Sequence, residues 1–132
     1  MSMLNLDFSN VASREPLEPG FYHCRISAVE EKETQSTGNP MLVITYEVIG
    51  DEQGNVVEGS RKLWDNLVLT DKALWKVKAV FTALGIPTDE VVKLDTSELI
   101  GMELGVKVVQ EMHNGENRNY TKGYKHINDL AG

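Results

Sequence analysis

The sequence is poor in features that define several large classes of protein. It contains a single cysteine, Cys24, so no disulfide can form within one chain, as expected in a reducing cytosol. No apolar run approaches the roughly 20 residues that a membrane-spanning helix needs. The first residues, MSMLNLDFSN, lack the basic start and apolar stretch of a signal peptide. These absences predict a cytoplasmic protein with no membrane partner.

Motifs of catalysis and metal binding are also missing. The three histidines lie in or beside different predicted strands without metal-type spacing, and there is no CxxC, HExxH or EF-hand pattern. The stretch GDEQGN at 50–55 has neither the lysine nor the following hydroxyl of a phosphate-binding loop. Acidic pairs such as Glu30-Glu31 are explained by solvation at strand ends. We therefore expect a protein that is not an enzyme and that holds no metal or cofactor.

The chain has no overall excess of positive charge. Its 132 residues carry a formal net charge of -7, so it is not an obvious nucleic-acid binder. The imbalance is confined to residues 1–59, which hold ten acidic and three basic residues, whereas residues 60–132 hold ten of each. This charge distribution is compatible with a basic face within residues 60–132 and equally with an ordinary mixed surface.

The clearest regular element is a helix over residues 70–87, TDKALWKVKAVFTALGIP. Four apolar side chains share one of its faces at helical spacing: Leu74, Val77, Phe81 and Leu84. Thr70 is expected to cap the first turn, and Gly85 is expected to end the helix in the left-handed conformation. Trp75 is expected to pack against the body of the protein.

Five strand-like segments flank this helix, three before it and two after. They span residues 21–34, 41–49, 56–69, 102–112 and 118–127, with a bend expected near Gly59-Ser60 and a tight turn at Asn114-Gly115. This order is that of the OB-fold, so we predict a mainly β protein, an OB-fold-like five-stranded Greek-key barrel with one α-helix between strands 3 and 4. The alternative is an α+β sheet or sandwich with one packed helix. The domain would occupy residues 20–127, between an N-terminal arm (1–19) and a short C-terminal tail (128–132).

Basic and aromatic residues alternate on two of the predicted strands. A surface that binds single-stranded nucleic acid needs cations for the phosphates and flat rings for the bases. Tyr120, Lys122 and Tyr124 recur with period two and are expected to share a face; a core position for Trp64 stays open. The predicted interface comprises Lys32, Arg61, Lys62, Trp64, Lys107, Arg118, Tyr120, Lys122, Tyr124 and Lys125.

Four segments together resemble a family of small bacteriophage proteins, in which they occur in the same order. They are LEPGFYHCRISAVEEKET, GNPMLVITYEVIGDEQGNV, LWDNLVLTDKALWKVKAVFTALGIP and LIGMELGVKV, and the shared pattern covers roughly residues 17–127. The family is catalogued as a domain of unknown function, and its members resemble phage single-stranded DNA-binding proteins. The resemblance implies an OB-like accessory protein of phage replication or recombination in the host bacterial cytoplasm, with other proteins of those processes as partners.

The sequence thus predicts a non-enzymatic protein that binds single-stranded DNA. The alternative is an interaction module of the same fold, whose acidic surface docks a basic host or phage protein or mimics DNA. That surface would use Glu30, Glu31, Glu33, Asp51, Glu52 and Glu58. A homodimer formed through the fourth or fifth strand also stays open.

Overall fold

The computed structural model describes residue 3 and residues 16–57, 61–88 and 95–130. Five strands and one helix follow in the order β1 (Gly20–Glu33), β2 (Pro40–Asp51), β3 (Lys62–Val68), α1 (Leu74–Ala83), β4 (Glu103–His113) and β5 (Glu116–Lys125). Short 3-10 turns occupy Thr96–Leu99 and Ile127–Asp129. The mainly β class and the position of the helix between the third and fourth strands are confirmed.

The five strands form one antiparallel sheet rather than the predicted closed barrel. Their order is β3-β2-β1-β4-β5, so β3 and β5 are the edge strands, and no ladder joins them within the described residues. The two edges still approach each other, and α1 contacts both of them. Side chains rather than backbone hydrogen bonds connect the edges, because Asp65 on β3 accepts a hydrogen bond from Tyr124 on β5. We call this gap between β3 and β5 the seam.

The core lies between the inner face of the curved sheet and the helix. Alternate residues of each strand point inward, as the period of a strand requires. Fully buried members include Cys24, Ile26, Ile44, Tyr46, Leu67, Leu104, Val106 and Val108, and α1 adds Val77, Val80 and Ala83. The inward face of β2 consists of Leu42, Ile44, Tyr46 and Val48, which are all buried. Burial also raises the pKa of the Cys24 thiol to about 12, as expected of a core cysteine that is not a nucleophile.

The helix is shorter than predicted and is rotated about its axis. It begins at Leu74 with Ala73 as its N-cap and no capping side chain, so the expected cap at Thr70 is wrong. The chain first makes a turn in which the Ala73 amide donates to the Thr70 carbonyl. Leu74 is 45% exposed, because positions 77, 80 and 83 form the buried stripe instead. Gly85 has φ of 84°, which confirms the predicted left-handed stop.

Two further boundaries differ from the prediction. β3 begins at Lys62 rather than near residue 56, where Val56 makes only an isolated bridge to Gly50. The bend expected at residues 59–60 lies outside the described residues. β5 begins at Glu116, directly after the predicted tight turn, in which Asn114 and Gly115 both have positive φ. No helix in the described part of the chain is long and apolar enough to cross a membrane.

Candidate nucleic-acid interface

A groove of about 620 Å³ opens along the first half of the seam, between the start of β3 and the start of β5. We call it the seam groove. Five of the ten predicted interface residues line it: Arg61, Lys62, Trp64, Arg118 and Tyr120. Pro16, Leu63, Glu116, Asn117 and Asn119 complete its walls. The structure therefore brings together the two basic-aromatic strands that the sequence singled out.

Trp64 faces solvent because β3 alternates strictly between its two faces. Leu63, Asp65 and Leu67 point into the core. Trp64 falls between them and is 64% exposed, so a core position for this residue is ruled out. Large exposed apolar surface of this kind is typical of a binding site.

Tyr120 and Tyr124 do not share a face, and that expectation is wrong. The β4–β5 register passes from Lys107 opposite Gly123 to Val108 opposite Thr121, so Lys122 is an extra residue in a β-bulge. The insertion reverses the alternation along β5. Tyr120 is 37% exposed and lines the seam groove, whereas Tyr124 lies opposite buried Val106 and packs against the core.

Tyr124 belongs to a buried polar cluster that spans the seam. Its hydroxyl donates to Asp65, which also accepts a hydrogen bond from the Tyr46 hydroxyl at 3.0 Å. Lys76 on α1 places its Nζ 2.7 Å from the other Asp65 oxygen. Burial, together with the nearby Asp65 carboxylate, raises the pKa of both tyrosines. Tyr124 is therefore a structural residue that ties β5 to β3 across the seam.

Two of the predicted cations lie away from the groove and have other partners. Lys125 is half-buried, with its Nζ 2.8 Å from a carboxylate oxygen of Glu52 and 4.1 Å from the centre of the Phe21 ring. Lys32 lies near the end of β1, opposite Met41, with a Glu30 oxygen 3.6 Å from its Nζ. The structure does not bring either residue to the seam groove.

Of the remaining predicted cations, Arg61 is half-buried and the other four are exposed, although Lys107 and Lys122 do not line the seam groove. Arg118 pairs with Glu116 at 3.2 Å, an exposed contact that is easily exchanged for a phosphate. Lys62 in the groove, and Lys107 and Lys122 on β4 and β5, have no carboxylate within ion-pair distance among the described residues. These side chains add positive charge to the surface without a partner in the described part of the protein to neutralise it.

Two polar side chains that the sequence pattern did not single out seat the N-terminal segment beside the groove. The Asn119 side chain accepts a hydrogen bond from the Leu17 amide at 2.7 Å and donates to its carbonyl at 2.9 Å. Gln110 donates to the same carbonyl at 2.9 Å. Pro16 is thereby held against one wall of the groove. Only the polar character of Asn119 on an otherwise inward-facing position signals this role.

Within the described residues, no group of three or more histidine, cysteine or acidic side chains is placed to hold a metal ion. The chemistry of the groove is instead that of an exposed indole, a phenol and guanidinium and ammonium groups. An arrangement of this kind can bind a ligand that carries both negative charge and flat apolar rings.

The fold and the groove together define a small, mainly β protein with a basic-aromatic surface on an open sheet. The chain belongs to the DUF669 family of proteins of unknown function, whose model matches residues 4–131. Membership in a family of unknown function is thereby confirmed, whereas its bacteriophage origin and its DNA binding stay predictions. No curated protein matches the chain.

Proposed function

We propose that this protein binds single-stranded DNA in the seam groove and catalyses no reaction. The observation that carries the proposal is the exposed ring of Trp64, which lines one groove with Tyr120 and with cations from two strands. Both requirements of a single-strand binder, rings for stacking and cations for phosphates, thus meet at one place.

The two kinds of side chain have separate roles in this proposal. Trp64 and Tyr120 stack bases, each contributing roughly 1–3 kcal/mol of binding free energy. Arg61, Lys62 and Arg118 contact phosphates, and each phosphate contact releases condensed counterions, so affinity falls as salt rises. Stacking tolerates any base, so little sequence preference is expected.

The finer fold assignment is part of the same proposal. In the OB-fold, a five-stranded Greek-key barrel carries its ligand on the strand 2–3 face and adjoining loops. The sheet order β3-β2-β1-β4-β5, the helix between β3 and β4, and the close approach of β3 and β5 support an open form of that barrel. A role as an accessory protein of phage replication or recombination, in the host bacterial cytoplasm, rests on the family resemblance.

The direct test measures fluorescence anisotropy of a labelled oligo-dT strand at low and moderate salt, with a duplex of equal length as control. Trp64→Ala and Tyr120→Ala are each expected to weaken binding roughly 5- to 150-fold. Ile100→Ala removes an exposed apolar side chain next to β4 and the central strand β1, so it serves as the matched control and should bind as the parent does. If the parent and all three variants bind oligo-dT with equal affinity, and their circular dichroism is unchanged, stacking in this groove is refuted.

The acidic-surface alternative has less support in the structure. Asp51 accepts hydrogen bonds within its own turn, chiefly from the Asn55 amide, which hold the pKa of its carboxyl below the usual range. Glu52 pairs with Lys125, and Glu58 lies outside the described residues. Three of the six predicted acids, at positions 30, 31 and 33, remain exposed at the end of β1. The seam groove is therefore the better-supported binding surface.

A further inference from the structure

A second aromatic surface lies on α1, outside the seam groove. Trp75 is 71% exposed, more than Trp64, although a tryptophan on a helix is expected to pack. It lines a groove of about 530 Å³ between α1 and the end of β5. We call this the helix groove; its other walls include Lys78, Thr82, Tyr124 and His126.

The helix groove continues the line of the seam groove. Successive antiparallel pairings give β3 and β5 the same direction, and β5 lines the seam groove with residues 116–120 and the helix groove with residues 124–126. Because Lys122 is an extra residue, Tyr120 and Tyr124 are three register positions apart, about 10 Å at roughly 3.3 Å per residue. The exposed bulge residue Lys122 lies between the two grooves. Since Tyr120 and Tyr124 lie on opposite faces of β5, a single extended ligand that meets both grooves passes over the strand at this bulge.

The charge of the helix surface suits the same ligand. Lys72 and Lys78 are exposed, and no carboxylate of the described residues lies within ion-pair distance of either. Lys76, by contrast, is held by Asp65 in the seam. His126 lies against Gly85, where an added Cβ would be 3.5 Å from its Nε2, and one carboxylate, Asp129, also lines the helix groove.

We infer that the helix groove is a second stacking subsite for the same single strand of DNA, with Trp75 as its ring and Lys78 as its phosphate contact. This inference rests on the proposed function of the seam groove. It assigns to α1 a part in binding in addition to its structural one. A short strand fills the seam groove alone, whereas a longer strand passes Lys122 and reaches Trp75.

The test compares Trp75→Ala with Trp64→Ala on oligo-dT strands of about 5 and about 15 nucleotides, which span the site sizes of such modules. We expect Trp75→Ala to weaken binding of the long strand roughly 5- to 150-fold and to leave the short strand unchanged. Trp64→Ala should weaken both. For the long strand only, Lys78→Gln should reduce the slope of log affinity against log salt concentration by about one, the amount expected for the loss of one phosphate contact. Ile100→Ala is again the control, and thermal unfolding checks that each variant folds.

The outcomes separate the two proposals. If the parent protein binds neither strand, the proposed function itself fails. If the parent binds both strands but Trp75→Ala binds the long strand as tightly as the parent, the helix subsite is refuted while the seam groove stands. An equal loss for both strand lengths would also refute it, because Trp75 would then act on the first site. If Trp75→Ala leaves the binding of both strands unchanged, a protein partner becomes the better explanation for the exposed ring.

Discussion

Replacing Asp65 by alanine should destabilise the fold strongly, because one carboxylate joins four elements. It lies on β3, is only 3% exposed, and holds Tyr46 of β2, Tyr124 of β5 and Lys76 of α1. No ladder joins β3 to β5 among the described residues, so this cluster is the main polar contact across the seam. Breaking it should therefore loosen the sheet where the seam groove lies.

The magnitude follows from the groups left behind. A buried hydroxyl without a partner costs about 1–3 kcal/mol, and Tyr46 is fully buried. Removing one partner of a buried ion pair costs about 3–5 kcal/mol. The Lys76 side chain is 29% exposed, however, and can turn to water, so only part of that cost applies. We expect Asp65→Ala to lower the free energy of unfolding by about 3 kcal/mol, a large part of the stability of a small domain.

Urea unfolding followed by far-ultraviolet circular dichroism measures this change. Glu47→Ala is the matched control, since it breaks an ion pair with Arg25 at 3.1 Å in which both side chains are exposed. Exposed pairs contribute at most about 1 kcal/mol. Asp65→Asn still accepts a tyrosine hydrogen bond, so its loss of unfolding free energy should fall between those of Asp65→Ala and Glu47→Ala. If Asp65→Ala lowers the free energy of unfolding no more than Glu47→Ala does, the claim that this cluster holds β3 and β5 together is refuted.

Three further predictions follow from buried groups and close contacts. Folding raises the pKa of Cys24, Tyr46 and Tyr124, so stability should begin to fall above about pH 8.5, where the unfolded thiol titrates, and should fall further above about pH 10, where unfolded tyrosine titrates; thermal unfolding from about pH 7 to 11 checks this, and a flat profile would contradict it. The Cys24 thiol should react with a thiol reagent only after unfolding in urea, because it is fully buried; fast reaction of the native protein would contradict the core assignment. Gly105→Ala should lower the melting temperature, because its Cβ would lie 2.8 Å from a Leu130 methyl group; an unchanged melting temperature would show that the C-terminal turn moves aside freely.

Much of the fold could be predicted because its signals are local. The alternation in β2, the turn at Asn114-Gly115 and the stop at Gly85 each depend on a few neighbouring residues. The start and rotation of α1 could not be predicted, because Val80 and Ala83 are selected by contacts with distant strands. Closure of the barrel is also a long-range property. Here β3 and β5 approach each other through side chains but no ladder joins them in the described residues, so the sheet stays open, and no local pattern encodes that outcome.

The candidate site was predictable to the same extent. Tyr120 is exposed, as the alternation along β5 predicts, whereas the pattern left a core position open for Trp64 and only its 64% exposure excludes it. Tyr124 does not follow the predicted alternation, because a single inserted residue at Lys122 reverses it and the sequence carries no sign of the bulge. Trp75 was assigned to packing from residue type alone, and only the tertiary structure shows that its face of the helix is uncovered.

The most direct test of the account uses the fact that the chain has only two tryptophans. Trp75→Phe keeps an aromatic ring on α1 and leaves Trp64 as the sole fluorescent indole. Titration of this variant with oligo-dT at low salt should quench Trp64 fluorescence to saturation, and added salt should reverse the quenching, since stacking and phosphate contacts act together. Unchanged Trp64 fluorescence throughout the titration would contradict the claim that the seam groove binds single-stranded DNA.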